Sequence, residues 1–272
     1  MNLRRCLLSL LVVLATSQCL VSGVGAQSDY YQIDYKWTYK GIEYTLSLNI
    51  SRAWYQAYQN ESVYTRTRYG IAGYGFLTTT NDPYVKFLAE YLNETALKDG
   101  YEPFDRVSFV LAFVQSLPYA SDNVTSGFDE YPRFPVETLV DNGGDCEDTS
   151  ILFATLTLIM GYGTVYVNPP DHCAVGVLWD GLEGSYYTYK NKTYYYCETT
   201  GTGWGIGQLP PQFEDSKANI YDIYDQLQYV PDIPEPLVPE SSSILVFFPL
   251  AILASIFAVA LKGKRVKKQS GS

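Results

Sequence analysis

The feature that most restricts this chain is the ten-residue stretch Asp141-Asn142-Gly143-Gly144-Asp145-Cys146-Glu147-Asp148-Thr149-Ser150. There a flexible, acidic Gly-Gly turn runs straight into the apolar segment Ile151 to Met160, which has helical length and ends at Gly161 and Gly163. The pattern predicts a helix with Cys146 at or near its N-terminus. Backbone N–H groups are unpaired at such an end and the helix dipole is positive there, which favours a thiolate over a thiol. Cys146 is therefore a candidate nucleophile, provided that a base stands near it in the fold.

Both ends of the chain read as something other than fold. Arg4 and Arg5, the apolar run Leu7 to Ala15 and the small residues Val24-Gly25-Ala26 form a secretory-signal pattern over residues 1–26. Ile244 to Leu261 is an uninterrupted apolar run of membrane-spanning length, followed by Lys262, Lys264, Arg265, Lys267 and Lys268 in a basic tail, 262–272. The expected topology is a cell-membrane protein with one span, 244–261, the bulk outside and the C-terminus in the cytoplasm. Residues 231–243, rich in Pro and Ser, read as an extended stalk. The whole chain carries a formal net charge of −10. Seven of its basic residues lie in the signal and the tail, so the exported part is more acidic still. Nucleic acid is a poor partner for such a surface. Five N-x-S/T sequons, at Asn49, Asn60, Asn93, Asn123 and Asn191, fit an exported glycoprotein.

Between the ends, Tyr30 to about Ile50 alternates and is rich in Tyr, Trp and β-branched residues around Lys40-Gly41, which predicts a β-hairpin. Arg52 to Tyr69 suits a short helix and a strand, completing a β-rich N-terminal region, 27–80. Helices are expected after Asn81-Asp82-Pro83 and from Phe104 or Asp105 to Leu117, where Pro118 stops the chain. Thr164 to Val167, His172 to Trp179 and Tyr194 to Thr199 read as strands. Helices first and sheet afterwards make residues 81–230 an α+β domain. No nucleotide-binding motif is present, and no cofactor is expected.

Thiol catalysis needs an imidazole to take and return the proton, and a third polar group to orient the ring. The chain contains one histidine, His172. If its strand pairs antiparallel with the Tyr194–Thr199 strand, one register sets Glu198 opposite His172, making Glu198 the best orienting group, although Glu147, Asp148 or Asp171 could serve. The same register sets Cys173 opposite Cys197 on the reverse face. A Cys173–Cys197 disulfide would then leave Cys146 as the one free thiol, since Cys6 and Cys19 depart with the signal. The other reading of the pair is two buried free thiols. A zinc site built from Cys146, His172, Cys173 and Cys197 fits poorly, because adjacent strand residues point to opposite faces and no C-x₂-C occurs; no metal is expected. For the oxyanion, the Cys146 N–H is the simplest donor, with Gln115 and Tyr119 as side-chain candidates or, equally, as ordinary interhelical polar contacts.

With these residues in view, the segments Gly143-Gly144-Asp145-Cys146-Glu147-Asp148-Thr149-Ser150, His172-Cys173-Ala174-Val175-Gly176-Val177 and Tyr196-Cys197-Glu198-Thr199-Thr200 resemble the transglutaminase-like superfamily, notably its archaeal and other prokaryotic membrane-anchored members. Phe113-Val114-Gln115-Ser116-Leu117-Pro118-Tyr119 and Pro135-Val136-Glu137-Thr138-Leu139 extend the resemblance, which covers roughly Phe104 to Pro210. It implies a papain-like α+β core, with Cys146 as nucleophile, His172 as general base and acid, and Glu198 as orienter. The family's usual acid is Asp, one methylene shorter, and the animal transglutaminases have Trp where this chain has Glu147. The expectation is an exported cysteine protease, amidase or acyltransferase acting on protein or peptide at the cell surface, with the Tyr-rich N-terminal region and the 118–136 loop selecting substrate. The alternative is a catalytically silent binding or scaffold module on the same fold.

Overall fold

The computed structural model describes residues 28–223 and Tyr229. The expected signal (1–26), stalk (231–243), membrane span (244–261) and basic tail (262–272) lie outside the described residues. Among the described residues no helix is long and apolar enough to cross a membrane.

Strands β1 (Tyr30–Tyr39) and β2 (Ile42–Ser51) pair antiparallel through a tight turn in which Lys40 and Gly41 both have positive φ, 48° and 76°. That is the two-residue turn geometry favoured by twisted hairpins. Alternation buries Ile33, Tyr35 and Trp37 with Tyr44, Leu46, Leu48 and Ile50. The segment that follows has no strand. It forms α1 (Arg52–Gln59), α2 (Val63–Thr67) and a 3₁₀ turn at Gly70–Phe76. Its tyrosines suggest a strand by propensity, but Trp54, Tyr55 and Tyr58 share one helical face and are buried together, and that burial decides.

Helices α3 (Pro83–Lys98) and α4 (Pro103–Gln115) begin and end close to their sequence signals. Asp82 caps α3 by accepting from Tyr84 N and Val85 N at 2.8 and 3.0 Å, and it also accepts from Trp54 Nε1 and the Tyr58 hydroxyl. The hairpin rests on α4: Trp37 lies 5.2 Å from the Phe113 ring and Tyr44 4.8 Å from Phe109. One continuous core therefore joins the hairpin, the helices and one face of the sheet. Many tyrosines are part of it, with hydroxyls anchored to partners such as Leu139 O, which Tyr35 meets at 2.7 Å.

After α5 (Asp122–Thr125) and α6 (Pro135–Asp141) comes α7 (Cys146–Ile159), buried without interruption from Glu147 to Thr157. Such a helix has no solvent face, which explains why its apolar run lacks amphipathic spacing. It packs on α3, α4 and α6 and on β3 (Thr164–Asn168) and β4 (Ala174–Leu178). These strands belong to an antiparallel sheet completed by β5 (Tyr186–Tyr189), β6 (Lys192–Cys197) and β7 (Asn219–Asp222), in the order β5-β6-β4-β3-β7. The sheet has helices before it in sequence, as an α+β fold requires.

The β4–β6 register corrects one expectation. Val175 stands opposite Cys197, and Gly176 opposite Tyr196, two residues away from the register that would pair Cys173 with Cys197. Diagonal neighbours across a sheet lie about 7–8 Å apart, beyond the reach of a disulfide. Cys173 and Cys197 are both buried free thiols.

Candidate active site

The Gly-Gly turn ahead of α7 is built by close approach. A Cβ on Gly143 would stand 2.7 Å from Pro118 O, and one on Gly144 would stand 2.5 Å from Asp148 Cβ. The turn is stitched to the end of α4 by Gly144 N donating to Pro118 O and Ala120 N donating to Gly144 O, at 3.2 and 2.9 Å. Asp148 accepts from Asp145 N at 3.2 Å, tying down the first turn of α7. Arg133 holds this carboxylate through its backbone N–H and its guanidinium, and the same guanidinium reaches Asp122 at 2.8 Å and Asp141 at 3.0 Å.

Cys146 is half-buried and donates its thiol to Glu147 Oε2 at 3.2 Å. Burial pushes the thiol's pKa well above its ordinary value, and the charges of Glu147 and Cys173 add to this, against a smaller opposing effect from the Cys173 backbone N–H. The helix end that favours a thiolate is thus opposed here by desolvation and by the Glu147 carboxylate. Asp145 and Glu147 are themselves buried beside one another, and both carboxyls are raised, chiefly by burial.

His172 lies just before β4, not within a strand. Its N–H donates to Pro169 O at 3.3 Å, Asn168 Nδ2 donates to its carbonyl at 2.7 Å, and Asp171 before it has φ 53°. The ring stacks on Phe213, 5.1 Å between centroids. Nε2 meets both oxygens of Glu198, at 2.9 and 3.2 Å. Glu198 sits just past the end of β6, so the two side chains meet from beyond paired strands, without being direct cross-strand neighbours. Glu198 also accepts from the Tyr196 hydroxyl and from Thr200 N and Oγ1, at 2.9, 2.9 and 2.6 Å. Burial raises this carboxyl, but the hydrogen bond and charge of His172 and the two Thr200 donors together outweigh it and leave the pKa below the ordinary value. With Nε2 committed to Glu198, Nδ1 is the nitrogen left for proton exchange.

Hydroxyls join these pieces. Thr149 and Ser150, on the first turn of α7, meet Thr199 Oγ1 at 2.9 and 3.0 Å, and Ser150 donates to Cys173 O at 3.0 Å. The helix carrying Cys146 is thereby pinned to the residues following His172 and Glu198. These positioning residues fall inside the same motifs that draw attention to Cys146, His172 and Glu198, yet nothing in the spacing reveals which hydroxyls would meet.

Gln115 is not available as an oxyanion donor. It is buried, with its amide N–H groups donating to Glu198 O and Trp204 O at 2.8 and 2.9 Å, so it supports the acid's backbone. Tyr119 is 65% exposed and does not line the cleft that contains Cys146. That cleft has a volume of about 690 Å³ and is lined by Cys146, His172, Glu147, Cys173, Tyr74 and Asp171, among others. Tyr74, from the 3₁₀ turn, has no motif to announce it.

For a metal, three carboxylate oxygens of Asp122, Asp145 and Asp148 come within 4.8 Å of one another, as do those of Asp122, Glu130 and Glu147. Arg133 already supplies the cation of the first group. The second offers the oxygen ligands that a hard divalent ion takes. All five sequon asparagines reach solvent: Asn60, Asn123 and Asn191 are exposed, and Asn49 and Asn93 are half-buried.

No family model matches the sequence, and no curated protein does. Among solved structures, the chain is similar to Legionella pneumophila LapG in its calcium-bound form, at 19% identity over 61% of this chain and 80% of that one, with a TM-score of 0.33. It is similar to the EGTA-treated form at 19% identity over 62% and 79%, with a TM-score of 0.34. A third LapG structure matches at 18% identity over 60% and 78%, with a TM-score of 0.33. These likenesses are distant, so the residues of this chain carry the functional reading.

Proposed function

We propose that this protein is an exported, membrane-tethered thiol enzyme of transglutaminase-like type that cleaves, or transfers the acyl group of, amide or peptide bonds. The observation that carries the reading is the 2.9 Å contact of Glu198 with Nε2 of His172, which lines the same cleft as Cys146. Glu198 orients the ring and stabilises the imidazolium, as the third member of such a constellation does. His172 takes the Cys146 proton through Nδ1. The sulfur attacks the carbonyl carbon, and the tetrahedral oxyanion collapses as His172 protonates the departing amine. The resulting thioester is resolved by water or by an acceptor amine. For this to happen, the thiol must first leave Glu147.

Localisation rests on sequence alone: the signal pattern, the stalk, the apolar run 244–261 and the basic tail fit a single-pass protein whose domain meets protein or peptide substrates outside the cell, with no nucleic acid partner. Mass spectrometry of the ectodomain after incubation with a peptide and amine library tests the activity. The expected product is an acyl adduct on Cys146; a panel that leaves Cys146 unmodified rules the enzyme out.

One observation favours the second reading, a silent binding or scaffold module: the thiol donates to Glu147, and burial raises its pKa. Thiol labelling separates the two. A fast-reacting thiol at neutral pH, lost in Cys146→Ser and slowed in His172→Ala, supports the enzyme; a rate no greater than that of free cysteine supports the module.

A further inference from the structure

We infer that the Tyr74 hydroxyl is the side-chain donor that stabilises the oxyanion formed when Cys146 attacks a carbonyl. The inference rests on the thiol-enzyme reading above and adds to it a residue from outside the resembling segments. Tyr74 lines the same cleft as Cys146 and His172, yet the residue is only 4% exposed. Its position is fixed by a closed set of contacts. The ring stands edge-on to Tyr166 at 5.9 Å, the Tyr166 hydroxyl meets Thr78 Oγ1 at 2.6 Å, and Thr78 Oγ1 donates to Tyr74 O at 2.9 Å. The Tyr74 hydroxyl itself has no hydrogen-bond partner among the described residues.

A nearly buried phenol with an uncommitted O–H beside a candidate nucleophile is a preorganised donor, and such donors act at the moment charge develops on the carbonyl oxygen. Burial, followed by the charges of Glu147, Cys173, Glu130 and Cys146, pushes its pKa well above the ordinary tyrosine value. The hydroxyl therefore keeps its proton throughout the pH range in which a thiol enzyme works. The sequence-based candidates are less well preorganised: Gln115 donates to two backbone carbonyls, and Tyr119 is 65% exposed. The second donor is the Cys146 N–H, which as the first residue of α7 has no carbonyl four residues back within the helix.

The test compares two reactions of the same thiol on the full ectodomain. Alkylation by iodoacetamide is a displacement at saturated carbon and forms no oxyanion; acylation by a p-nitrophenyl ester passes through one. Tyr74→Phe is expected to leave alkylation unchanged and to slow acylation about 100-fold, mainly in kcat. Tyr119→Phe is expected to change neither. With wild-type protein, the corresponding thionoester, a poorer hydrogen-bond acceptor at the reacting atom, is expected to lose rate, and Tyr74→Phe to lose little more on it. Equal acylation by Tyr74→Phe and wild type would overturn the inference, as would a parallel fall in both reactions, which marks a structural role. A wild-type thiol that alkylates but never acylates would bring down the thiol-enzyme reading and this inference with it.

Discussion

The thiol of Cys146 and the carboxylate of Glu147, adjacent in sequence at the start of a helix, face one another at 3.2 Å. Consecutive helical residues usually diverge by about 100°, but a glutamate is long enough to turn back along the first turn, where no preceding turn blocks it. The contact adds to burial in holding the nucleophile protonated. A carboxylate accepting from a thiol stabilises the protonated sulfur and opposes the thiolate, whatever the helix dipole does.

Glu147→Gln should therefore lower the Cys146 pKa. A thiol made ten times more acidic carries about ten times more thiolate, as long as it remains mostly protonated. Iodoacetamide labelling of Cys146 near neutral pH should accelerate about tenfold. A rate unchanged from wild type would show that Glu147 does not govern the thiol.

Glu198→Gln should remove the charge that orients and balances His172, and slow acylation of Cys146 by about 100-fold or more, with little change in fold. Its pH signature has a definite sign. The folded-state pKa of Glu198 lies below its unfolded value, so its contribution to stability is fully present above the ordinary glutamate pKa of about 4.3 and is lost as pH falls through the folded value. Thermal unfolding at a series of pH values should show the advantage of wild type over Glu198→Gln shrinking as the solution is acidified below about 4.3. An advantage that stays constant or grows there would contradict the assignment.

Arg133 bonds Asp122, Asp141 and Asp148 from a position that is 3% exposed. Arg133→Met should leave these carboxylates without their cation and cost about 3–5 kcal/mol in urea unfolding. Arg133→Lys should rescue little of it, because one ammonium cannot reproduce the planar set of donors.

Gly144→Ala forces a methyl group against Asp148. The expected cost is about 1–3 kcal/mol. Because the displaced residue belongs to the turn that seats Cys146, the labelling rate should change as well, which a stability loss elsewhere in the fold would not produce.

With Cys173 and Cys197 both free, the ectodomain denatured without reductant should expose three titratable thiols, at Cys146, Cys173 and Cys197. A single thiol by colorimetric titration would restore the cross-strand disulfide.

What the sequence determined by itself was local. Gly-Gly before an apolar run announces the start of α7, Asp82-Pro83 starts α3, Lys40-Gly41 turns the hairpin, and a unique histidine leaves a single imidazole as candidate base. Each is a matter of backbone conformation or of scarcity, and both are written in neighbouring residues or in simple counts. Tertiary structure decided what depends on distance. The two-residue difference in β4–β6 register separates Cys173 from Cys197 while still letting the long Glu198 side chain reach His172, because no local signal specifies which residues oppose one another when both strands are buried. Packing also turned Arg52 to Tyr69, expected as a short helix and a strand, into helices, and the 3₁₀ turn after it brings Tyr74 into the cleft. Above all it set the charge of the nucleophile. A helix start next to Cys146 predicts a thiolate, but burial and the Glu147 carboxylate act on the same sulfur, and desolvation, which only the folded chain imposes, is the largest of these effects.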